Sequence, residues 1–78
     1  MKINPNDIHY SYDTRGYMMY YKGKPIGGAG LAKGVSGCRA NLKIFKEQAE
    51  IEKRRIINGL ISAYTLMEIR KIDEEEIK

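Results

Sequence analysis

Apolar and polar residues alternate from Ile8 to Tyr12, Ile-His-Tyr-Ser-Tyr, with the two-residue period of a half-buried strand. Asp13-Thr14-Arg15-Gly16 supplies turn chemistry, and Tyr17-Met18-Met19-Tyr20-Tyr21 follows as a second β-favouring run. Lys22-Gly23 reads as a two-residue hairpin loop, because glycine takes positive φ without steric cost. Pro25 opens a third strand, where its missing N–H is tolerated. The two turns rest on separate signals, and strand register tests one against the other. A loop at Thr14-Arg15 sets Tyr12 opposite Tyr17, Tyr10 opposite Met19 and Ile8 opposite Tyr21. A loop at Lys22-Gly23 sets Met19 opposite Ile26 and Tyr17 opposite Gly28. Opposed residues share a face, so Ile8, Tyr10, Tyr12, Tyr17, Met19, Tyr21 and Ile26 form one apolar face. His9, Ser11, Met18, Tyr20, Pro25 and Gly27 form the other.

The period then changes. Beyond the glycine-rich stretch that runs from Gly27 to Gly37, Cys38, Leu42, Phe45, Ala49, Ile56, Leu60, Ala63 and Met67 recur three, four or seven apart. That is one stripe of a helix reaching about Ile72, with Ser36 as its N-cap. Asn58-Gly59 interrupts the pattern and predicts a kink or a break into two helices, since glycine costs about 1 kcal/mol against alanine in a helix interior. Ile44, Ile51, Leu66 and Ile69 point away from the main stripe at 100° per residue. Such a two-sided arm has to be covered by its own folded-back half or by another chain, which makes these four the expected oligomer interface. Asp73-Glu74-Glu75-Glu76 reads as a frayed, solvated tail. The expected class is α+β: a three-stranded antiparallel meander over residues 8–30, a glycine-rich connection at 31–37, a helical arm over 38–72 and an acidic tail at 73–78. The order is βββα or βββαα in a single domain, 1–78.

Composition narrows the chemistry. Seventy-eight residues bury only about 60% of their extended surface, so a domain of this size leans on a staple or a partner chain. With one cysteine and one histidine, an intrachain disulfide and a closed four-ligand zinc site are both excluded. Self-association, with a homodimer as the simplest case, becomes the expectation. No run approaches the roughly 20 apolar residues of a membrane span, and no signal-peptide core opens the chain. The expected location is therefore the cytoplasm. Net charge is +4, arranged as +6 over residues 1–55 and −2 over residues 56–78. That excess suits an acidic partner such as nucleic acid.

Candidate sites are those of a binding protein. His9 has no evident nucleophile and carboxylate beside it, so no catalytic set is assembled and no enzyme is expected. No cofactor is expected either, because the glycine-rich run misses both the phosphate-loop and the dinucleotide patterns. The plainer reading of Gly28 is a space left for Tyr17. Arg39, Lys43 and Lys46, with Arg54 further on and Lys22 and Lys24 at the hairpin tip, form a candidate phosphate-tracking set. Met18 and Tyr20, beside Arg15 and His9, form a second candidate patch, of the residue types enriched at interfaces. Glu50 and Arg54 are spaced for an i,i+4 ion pair.

The stretch YDTRGYMMYYKGKPIGGAG, Tyr12 to Gly30, and RANLKIFKEQAE, Arg39 to Glu50, resemble small accessory proteins of bacterial phages and prophages. The resemblance implies a non-catalytic protein that inhibits or modulates a host protein, in the manner of anti-CRISPR and other anti-defence factors that occupy nucleic-acid sites. The order sheet-then-helix is also similar to the arm-binding domains of phage tyrosine recombinases, which read DNA with a three-stranded sheet. Here the outer sheet face offers Met18 and Tyr20 but few cations. The expected partner is thus a host protein, with a DNA- or RNA-binding module and a structural homo-oligomer as the alternatives.

Overall fold

The computed structural model describes residues 3–31 and 37–77, with Ile77 as backbone only. The Ser36 cap falls outside the described residues. Ile8–Asp13 (β1), Gly16–Tyr21 (β2) and Lys24–Gly30 (β3) form an antiparallel sheet in the order β1-β2-β3, preceded by a single 3-10 turn at Pro5–Asp7. Asn41–Ile57 (α1) and Ala63–Ile77 (α2) follow. Both helices pack on one side of the sheet, α1 on β1 and β2, α2 on β3. No helix among the described residues is long and apolar enough to cross a membrane.

Both hairpin loops lie where the alternation put them, for different reasons. At Thr14-Arg15 the Asp13 carboxylate accepts the N–H groups of Arg15 (2.7 Å) and Gly16 (3.2 Å), so the turn closes without positive φ. At Lys22-Gly23 both residues take positive φ, 51° and 83°, the twist a two-residue hairpin needs. The β1–β2 register is the expected one, Ile8↔Tyr21, Tyr10↔Met19 and Tyr12↔Tyr17. The β2–β3 register starts as expected at Tyr21↔Lys24 and slips by one after Tyr20↔Pro25, so that Met19 faces Gly27, Met18 faces Gly28 and Tyr17 faces Ala29. This β-bulge is made possible by Gly27 at φ +152°. Ile26 keeps its place in the core through the slip. Gly28 therefore leaves room for something other than a Tyr17 ring: a Cβ there would stand 2.3 Å from the Tyr17 carbonyl oxygen.

Ile3, Ile8, Met19, Tyr21, Ile26, Ala49, Ile56, Ile69 and Ile72 form the core. The predicted apolar face is buried at the Ile8–Tyr21–Ile26 end and opens toward Tyr12, which is 39% exposed. The stripe along the arm holds through α1, where Phe45, Ala49 and Ile56 are buried, and fails beyond it. The reason is a helix stop at Asn58-Gly59. Gly59 (φ +79°) donates to the Ile56 carbonyl and Leu60 donates to that of Arg55, the paired bonds that close a helix on a left-handed glycine. Ser62 then caps a new helix, its hydroxyl accepting the Thr65 N–H at 3.2 Å. The break resets the helical phase. Leu60 and Met67, expected inside, are 64% and 57% exposed, while Ile69, assigned to an oligomer interface, lies wholly buried in the core. Leu66 is half-buried. Only Ile44 and Ile51 keep an uncovered face, at 48% and 51% exposure. The acidic segment is likewise no frayed tail, because Asp73 to Glu76 belong to α2.

Candidate functional site

The cations expected to act together divide into two groups. Lys22 reaches Asp73 (3.2 Å) and Glu76 (2.8 Å), and Lys24 reaches Glu75 (2.6 Å). Tyr21 completes this clamp by donating its hydroxyl to the same Asp73 oxygen at 2.8 Å. Hydrogen bonds that it donates to Glu76 and then to Asp73 hold the Lys22 ammonium well above the ordinary lysine value. Burial, and then the Asp73 bond, raise the Tyr21 hydroxyl. The hairpin-tip lysines thus fasten the end of α2 to the sheet instead of presenting two loose charges.

The second group is unclaimed. Lys43, Lys46, Lys53 and Arg54 fall within roughly 100° of arc on α1, and Arg39 stands one turn ahead of it. None of the five has an ion pair among the described residues, and Glu50 is the one carboxylate inside their arc. The expected Glu50–Arg54 pair does not form, because Glu50 instead accepts the Tyr10 hydroxyl at 3.1 Å. Burial, followed by that bond, raises the Tyr10 hydroxyl. Tyr10, Glu50, Lys53 and Arg54 line a shallow concavity of about 300 Å³, beside which the Tyr10 and Tyr12 rings stand 6.1 Å apart. Asn41 anchors the start of α1 by donating to the Thr14 carbonyl at 3.1 Å. Lys53 escaped the sequence reading because its role depends on Tyr10 lying across from it, and no spacing along one helix shows that.

The outer sheet face is uncovered among the described residues: His9, Ser11 and Pro25 are exposed, Met18 is 38% exposed and Tyr20 half-buried. Arg15 and Met18 line a shallow groove of about 460 Å³ with Asp13, Gly16, Gly30 and Leu31. Tyr20 does not reach it, so the expected patch is only partly assembled. Met18 and Tyr20 also face away from α1, and the predicted binding residues do not converge on one site.

The outer edge of β3 has no partner strand among the described residues. The Leu31 N–H donates to the Arg15 carbonyl at 2.7 Å. Hydrogen-bonded pairs recur every second residue, so Ala29 also bonds toward β2, and the N–H and C=O groups of Gly28 and Gly30 turn outward. Beside this edge, on the helix side, lies a cleft of about 270 Å³ lined by Tyr17, Ile26, Gly27, Gly28, Glu52, Ile56 and Tyr64 among others. Burial, with help from Glu52, raises the Tyr17 hydroxyl there. Among the described residues no group of three or more His, Cys, Asp or Glu side chains could hold a metal ion. Comparison with protein-family models, curated proteins and solved structures finds no match for this chain.

Proposed function

We propose that this chain is a non-catalytic binding protein whose working surface is the basic flank of α1, and that its partner is the phosphate backbone of a nucleic acid. The observation that carries the reading is the segregation of charge. Arg39, Lys43, Lys46, Lys53 and Arg54 lie along one flank with no ion pair among the described residues, and the one carboxylate inside that arc, Glu50, is bonded to Tyr10, whereas Asp73, Glu75 and Glu76 meet Lys22 and Lys24. Cations left unpaired in a row suit a polyanion, and the neighbouring tyrosines supply faces on which bases stack. Direct titration of labelled single- and double-stranded oligonucleotides tests it. Four to five neutralised phosphates on a duplex give a log–log salt slope of about −4. Lys43→Glu together with Lys46→Glu should weaken binding by more than about tenfold and flatten that slope by about 2. Unchanged affinity in this pair would remove the reading.

A second reading rests on Leu60, Tyr64 and Met67, each more than half exposed near the start of α2. Aromatic residues and methionine are enriched at protein interfaces. They suit a protein partner, as the resemblance to phage anti-defence factors implies. In that case the chain forms a stoichiometric complex with a host protein, insensitive to nuclease and lost in Tyr64→Glu. Either reading places the protein in the cytoplasm of a bacterial host.

A further inference from the structure

We propose that two copies of this chain pair through β3, antiparallel about a two-fold axis at Ala29, with Leu31 of each protomer seated in the cleft of its partner. The first argument is the edge itself. Among the described residues Gly28 and Gly30 present outward backbone donors and acceptors with no partner strand, and an extended strand is the chemistry that satisfies them. The second is register. Centred on Ala29, Gly28 of one protomer faces Gly30 of its partner and the reverse, so every outward group of both glycines is used in four N–H···O bonds. Centring on Gly28 uses fewer, because Gly30 then faces the bulged Ile26. The third is shape. In the Ala29 register the two Ala29 residues meet in the close, non-bonded kind of pair, where a small side chain is needed.

Leu31 then falls opposite Gly27 of the partner, on the helix side of the sheet. Leu31 is apolar and 39% exposed, and Gly27 has open space above it on the wall of the 270 Å³ cleft. A knob and a hole on one chain, related by the same axis, are what an isologous contact requires. The inference is independent of what binds the basic flank.

Sedimentation and oxidative cross-linking test it. The wild-type chain should approach twice 8.9 kDa within the micromolar range. Ala29→Glu sets two carboxylates opposite each other and should weaken association on the order of tenfold or more. In a Cys38→Ser background, Ala29→Cys brings two thiols to a Cα separation of about 4.5 Å, within disulfide reach. It should oxidise to a covalent dimer. Leu31→Cys in the same background should not, since its two copies lie about 14 Å apart along the strands. The cross-link decides the register even where Ala29→Glu disturbs folding, which circular dichroism would reveal. A wild-type chain that stays monomeric into the high micromolar range overturns the proposal and leaves the edge to an extended segment of another protein. A dimer indifferent to Ala29→Glu and without the Ala29→Cys cross-link overturns it equally.

Discussion

At the scale of single residues, the glycines of the hairpin region do different work. Gly23 is chosen for its φ of +83° and has nothing within 4 Å of where a Cβ would stand. Gly28 is chosen for space, since its Cβ would meet the Tyr17 carbonyl oxygen at 2.3 Å and the Met18 Cα at 3.1 Å. Backbone cannot retreat as a flexible side chain can. Gly23→Ala should therefore cost about 1 kcal/mol from the left-handed conformation alone. Gly28→Ala should cost about 1–3 kcal/mol, because β2 and β3 have to part. Urea denaturation of the two variants checks the order, and equal costs would mean that β3 shifts freely. The sequence shows that glycines cluster here, but a pattern of letters does not say which of them needs an angle and which needs room.

At the scale of elements, the meander was legible and the arm only half so. Strand alternation and turn chemistry act over two to four residues, and β1 and β2 obeyed them throughout. The slip in β3 depends on Gly27 taking a φ of +152°, which alternation alone does not reveal. In the arm, a single helical phase continued through Asn58-Gly59 puts Ile69 outside and Leu60 and Met67 inside. The signal for a reset was present, in Gly59 as a helix stop and Ser62 as a fresh cap three residues before Thr65. The outcome separates two isoleucines of like spacing. Ile69→Ala should cost about 2–5 kcal/mol as a core cavity, whereas Ile51→Ala, half exposed on α1, should stay within about 0.5 kcal/mol. Thermal unfolding of the two variants distinguishes them.

At the scale of the whole molecule, pH dependence comes from groups on different elements that share one sign. Tyr10, Tyr17, Tyr21 and Lys22 are all held above their ordinary values, the tyrosines chiefly through burial and Lys22 through its acidic partners. A raised value in the folded state means that the unfolded chain gives up its protons first. The contribution of each group is complete below the unfolded value, 10.0 for tyrosine and 10.5 for lysine, and is lost as pH rises beyond it. Melting temperature should therefore fall steadily from about pH 10 upward. Tyr21→Phe should make the fall shallower, and a melting curve flat to strongly alkaline pH would contradict the assignment. The sequence announced the tyrosines as packing residues. It could not announce that Asp73 and Glu76 would reach back some fifty positions to meet Tyr21 and Lys22, because such contacts exist only once α2 has docked.

The clamp at the hairpin tip has one more effect, on how the molecule behaves before it touches anything. By matching Lys22 and Lys24 with Asp73, Glu75 and Glu76, it brings that end to a net charge of −1, while residues 39–57 carry six cations against three acids, a net +3. Such lopsidedness amounts to a permanent electric moment across a body 41 Å long. In the field of a negatively charged surface the protein would turn its α1 flank forward during approach, and dissolved ions would blunt that torque.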